Sequence, residues 1–146
     1  MKTIFTLLLL SFNILFSSVT FTDETEEINT FKLFYHFDKD KKHTIESIQE
    51  VNFLKKTFNF FTFGYTNGDT WFKLNIQNNS QEKEFIFQLR EPYFQHINFY
   101  VKEDGLWQQQ QAGLTLYKES KDKKDLNPIF SFRIEPKQNR LHTTRT

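Results

Sequence analysis

The side chains that could do chemistry in this sequence are few and scattered. Asp38 and Asp40 stand two apart, as the first ligands of a calcium loop do. The positions that would complete the loop hold Lys42, His43 and Gln49 instead of Asp or Asn, glycine and a closing glutamate. His36, His43, His96 and His142 lack the helical i, i+4 spacing of zinc ligands. No metal and no cofactor is expected. Glycoside hydrolysis needs two facing carboxylates roughly 5–10 Å apart. Glu84 and Glu91 are available acids, but each falls at the end of an expected strand, where a solvated carboxylate is the ordinary outcome. No Gly-x-Ser-x-Gly elbow or phosphate loop occurs. Asn78-Asn79-Ser80 fits a glycosylation sequon and equally a tight turn. No catalytic residue is assigned.

What remains is recognition by rings and hydrogen-bonding groups. One set of positions mixes the two: Trp71, Lys73 and Asn75; Gln88 and Arg90; His96, Asn98 and Tyr100; and Arg133. Rings cover apolar faces of a ligand while Arg, Asn and Gln meet its polar edges, so Trp71, Arg90, His96, Tyr100 and Arg133 are candidate ligand-binding residues. Trp107 joins them; it follows a turn glycine, where it offers a ligand platform or caps the fold. A solvated sheet face is the alternative use of the same pattern.

These residues alternate with a strictly apolar set: Phe72, Leu74, Ile76; Phe85, Phe87, Leu89; Ile97, Phe99, Val101; Phe130, Phe132, Ile134. Period-two alternation is the mark of strands with one buried face, and several such strands make a sandwich around a common core. Breaks at 66–69, 78–80, 103–105, 118–127 and 135–139 separate segments 58–63, 70–77, 84–90, 95–102, 106–111 and 129–135. Upstream, 31–37 reads as a first strand and 38–43 as a charged turn. Thr44 then caps a short helix whose Ile45, Ile48 and Val51 share one face.

Composition narrows the function classes. Lys+Arg 19 against Asp+Glu 18 leaves a formal net charge of +1, so no field draws in nucleic acid. The absence of cysteine excludes a disulfide framework. Nineteen phenylalanines, each burying roughly 150–250 Å², suffice for a core without staples. Met1-Lys2, an apolar run over 4–16 and the small residues Ser17, Ser18 and Thr20 read as a signal peptide, cut after Ser18 or Thr20, with an uncleaved anchor as the alternative. The expected organisation is a signal peptide at 1–20, a polar lead-in at 21–29, a β-sandwich at 30–139 and an atypical tail at 140–146.

An ordered series of short stretches resembles a known family. It runs through Gly64-Tyr65-Thr66, Trp71 to Asn78, Leu89-Arg90-Glu91-Pro92, Ile97-Asn98-Phe99-Tyr100, Gly105-Leu106-Trp107, Gln111-Ala112-Gly113 and Asn127-Pro128-Ile129-Phe130. Together these stretches resemble the type 2 extracellular sensory domain of bacterial seven-transmembrane receptors with diverse intracellular signalling modules (7TMR-DISM). The resemblance implies an all-β, jelly-roll-like antiparallel sandwich with one short helix, similar to carbohydrate-binding modules and lying in the periplasm. It implies ligand sensing, with carbohydrate or a related small molecule as the ligand, and a membrane-spanning receptor portion that this chain does not include. A free secreted carbohydrate-binding or adhesive module is the alternative, and a glycan-active enzyme the weakest reading. Two departures stand out. Residues 118–124 are lysine-rich where such domains often carry an Arg or His pair, and 140–146 are polar where a hydrophobic closing strand is expected. The polar end looks truncated or frameshifted, which predicts a poorly formed last strand and an open sheet edge.

Overall fold

Long alternating segments rich in Phe, Ile and Val bury one face when extended and cannot do so when helical, and the chain folds accordingly. The computed structural model describes residues 18–56, 67–90, 93–117 and 127–145. Its strands are β1 (Ser18–Phe21), β2 (Leu33–Asp38), β3 (Leu54–Lys56), β4 (Asp69–Asn78), β5 (Glu84–Gln88), β6 (Ile97–Glu103), β7 (Leu106–Ala112), β8 (Ile129–Arg133) and β9 (Asn139–Arg145). They form two sheets. The larger has the order β3-β2-β4-β9-β6-β7, with β1 added in parallel to the second half of β4; the smaller is the antiparallel pair β5-β8. Apart from β1, the pairing of the larger sheet is antiparallel.

The two sheets meet through rings. Phe99 stacks on Phe130 at 4.8 Å and on Phe87 at 5.6 Å, and Phe85 lies 4.6 Å from Phe21. All twelve side chains expected to point inward belong to this core or pack against it. The β6–β7 hairpin turns on Asp104 (φ 49°) and Gly105 (φ 84°). A two-residue turn with both φ positive matches the twist of its strands, which is why Asp-Gly stands there.

Two expectations are revised by the structure. The short helix is a single 3₁₀ turn, Ser47–Glu50, entered by a hydrogen bond from the Ser47 N–H to Thr44 Oγ1 (3.3 Å). Ile45, Ile48 and Val51 recur every three residues, the period of a 3₁₀ and not an α-helix. The polar end does not leave an open edge: 139–145 is a seven-residue strand paired on both sides, between β4 and β6. The segment expected to end a leader contains β1, whose Val19 is in the main core; a cut after Ser18 keeps it there and one after Thr20 does not. The expected strand 58–63, Glu91 and the lysine-rich stretch 118–124 fall outside the described residues.

Candidate functional site

Register across the large sheet sets the site. His36 pairs with Trp71, Trp71 with Arg145, Arg145 with Asn98 and Asn98 with Gln111, giving one row of side chains on the outer face. The next row is Phe34, Lys73, Thr143, Tyr100 and Gln109. Residues 44–53 fold over the Trp71 end of these rows, so Ile48, Trp71 and Tyr100 make a second apolar cluster with Ile45, Val51, Phe53 and Trp107 against it. The other end stays open as a cleft of about 350 Å³, at the lower end of the ~300–1,000 Å³ typical of small-molecule sites.

The cleft has an aromatic floor and polar walls. Tyr100 is almost buried and stacks on Trp71 at 6.0 Å, and the Arg145 guanidinium lies 5.4 Å from the centre of the indole. Arg145 is held in place by Asp69, to which both Nε (2.8 Å) and Nη2 donate, and Lys41 Nζ lies 3.7 Å from the other Asp69 oxygen. On the opposite wall Asn98 Oδ1 accepts from Gln109 Nε2 (2.6 Å) and Gln111 Nε2 (2.9 Å), with His96 Nε2 at 3.2 Å. Drawing both glutamine amides onto one oxygen orients them and leaves their carbonyl oxygens as acceptors for a guest. Burial pushes the Tyr100 phenol up, against the pull of Arg145 and with a push from Glu46, so it stays a neutral hydroxyl that can donate as well as accept.

An exposed turn begins beside this site at the buried Asp38. Asp38 is opposite Asp69 in the register and accepts from the His43 N–H at 2.8 Å. Burial alone would raise its pKa, but the backbone N–H groups of His43 and Lys42 and the His43 charge outweigh it and hold the carboxyl below its ordinary value. The Asp38-x-Asp40 pair therefore serves as a turn, with its first carboxylate taken up by backbone. His36 sits with its ring 5.5 Å from His43, edge to face, and burial followed by the His43 charge lowers its pKa. Lys73 reaches over the Phe53 ring at 4.8 Å, and burial lowers its pKa too. Of the described residues Asp69 alone brings a carboxylate to the cleft, and it is already in two ion pairs. Such an arrangement is equipped for hydrogen-bond recognition.

The six sequence-derived candidates divide between three places. His96 and Tyr100 line the cleft. Trp71 and Trp107 lie on the same outer face, Trp71 fully buried beneath Arg145 and Trp107 half-buried under the Lys102 ammonium, 5.5 Å from its ring. Arg90 and Arg133 belong to the small sheet and its exit, where Arg90 pairs with Glu27 (2.5 Å) and Arg133 with Glu135 (2.9 Å). In a sandwich the outer faces of the two sheets point in opposite directions, so parity alone cannot place all six together. Sequence reading missed Asp69, Gln109, Gln111 and Arg145 as site residues. The glutamines had a signal: a two-residue turn at Asp104-Gly105 fixes Asn98 opposite Gln111 and Tyr100 opposite Gln109.

The family model described as 7TMR-DISM extracellular 2 matches residues 31–145. This chain belongs to that family. The 7TMR-DISM match runs from just before β2 to Arg145, so it takes in every residue of the cleft and the whole of β9. Domains of this family are extracellular sensory parts of receptors. No curated protein matches the sequence. Among the described residues, no helix is long and apolar enough to cross a membrane.

Proposed function

We propose that this 7TMR-DISM domain is an extracytoplasmic, periplasmic ligand-binding module that follows a signal peptide and senses a carbohydrate or a related small polyhydroxy molecule in the outer-face cleft. The observation that carries this is the pairing of a ring-floored cleft with fixed hydrogen-bonding groups. Tyr100, backed by the buried Trp71, supplies ring surface, and Gln109, Gln111, His96 and Arg145 supply oriented donors and acceptors. A sugar, apolar on one face and ringed with hydroxyls, is complementary to that combination. The apolar run at 4–16 supports export. Arg90 and Arg133, already paired with acids on the other sheet, have no part in this cleft.

The test is calorimetric titration of the purified protein with a panel of neutral and acidic mono- and disaccharides, repeated on Gln111→Ala and His96→Ala. Both residues are exposed, so the variants should fold normally by circular dichroism. Loss of a hydrogen bond to the guest should weaken binding about ten-fold in each. A panel in which nothing binds, or binding that survives both substitutions, would remove this reading.

A further inference from the structure

Among the described residues, the main path of the large sheet ends on two strands of different character. One edge is β3, in which two of the three residues are lysines. The other is β7, Leu106–Ala112, with seven residues and no charge or proline, in a chain where 25% of residues are charged. A bare sheet edge is a template for another strand, and charge or proline is the common protection. Beyond β7 the chain leaves through Gly113 and folds back toward the entry of β6: the Leu114 N–H donates to the Phe94 carbonyl (2.9 Å) and the Thr115 N–H to the Gln95 carbonyl (3.1 Å). Among the described residues, β6 is the strand that pairs with β7, and its outer edge is open.

The hairpin dictates which peptide groups face outward. In a two-residue turn the flanking pair, here Glu103 and Leu106, is hydrogen-bonded. Stepping by two along β7, Leu106, Gln108, Gln110 and Ala112 aim their peptide groups at β6, while Trp107, Gln109 and Gln111 aim theirs away. This outward triplet reads the same when the strand is reversed about Gln109. A second copy of β7 laid antiparallel would put Gln109 opposite Gln109, and Trp107 opposite Gln111, satisfying all the outward N–H and C=O groups of both.

We propose that β7 is the contact of a two-fold homodimer in which the large sheets of two copies join into one. The occupant is a second copy because the outward pattern is self-complementary under a two-fold axis and no like charges meet there. Gln109 and Gln111 also line the cleft, so the axis sets the two clefts side by side on one face.

Sedimentation velocity of the whole chain across a concentration series tests this, with two variants. Gln109→Lys places two ammonium groups opposite each other and should weaken association about ten-fold or more. Gln109→Cys, in a chain without cysteine, should give a disulfide-linked dimer under mild oxidation, since opposed hydrogen-bonded residues have Cα atoms about 5.5 Å apart. Gln88→Cys, exposed on the small sheet, should not. A monomer at every concentration, a dimer indifferent to Gln109→Lys, or Gln109→Cys cross-linking no faster than Gln88→Cys would overturn the proposal. A monomer that binds a foreign extended peptide along β7 would overturn it as well.

Discussion

At the residue scale Trp71 anchors the outer face. Its indole is fully buried against Ile48 and Tyr100, with the Arg145 guanidinium over the ring. Trp71→Ala should therefore destabilise the fold by roughly 3–5 kcal/mol, measured as a lower urea midpoint, and any loss of ligand affinity should follow from that. Asp38 supplies a pH dependence. Its folded pKa lies below the unfolded one because backbone donors from His43 and Lys42 and the His43 charge outweigh burial. The stabilisation is then fully present above the unfolded value, about 4, and is lost as pH falls through the lower folded value. Urea denaturation at a series of pH values should show wild type losing stability across that acid window and Asp38→Asn losing less.

At the scale of elements β9 decides whether there is a large sheet. It bridges β4 and β6, which among the described strands have no backbone pairing with each other. A chain stopped after Gln138 should give no dispersed amide spectrum, because two long strands would each lose a full ladder. Legibility in the sequence follows from the same physics. Strands β4, β5, β6 and β8 were readable because Phe, Ile, Leu and Val fill their inward positions; Phe85 with Phe87 and Phe130 with Phe132 leave no other parity. Strand β9 was not readable, because its buried positions are His142, Thr143 and Thr144. His142 takes the place of an aliphatic residue by stacking on Phe99 (5.7 Å) and packing against Phe132 (4.5 Å), a use of histidine that hydropathy does not register. Half of the cleft was hidden for a related reason. Tyr100 stands on a recognisable strand and His96 directly before it, whereas Arg145 depends on β9 and Asp69 on a strand that starts a residue earlier than its apolar pattern.

At the scale of the molecule the sandwich separates two surfaces. The small sheet turns outward a face with exposed Ile86 and the Arg133–Glu135 pair, and the large sheet turns outward the cleft. With balanced charge overall, the neutral-sugar binding proposed for the cleft should vary little in affinity between low and high salt. The central position of β9 also constrains how the domain comes into being. Strands β4 and β6 are synthesised well before the one that belongs between them, and the gap stays open until residues 139–145 have left the ribosome. Assembly of such remote pairings is slow. A chain of this design stays unassembled while it is being made, which suits the export proposed for it.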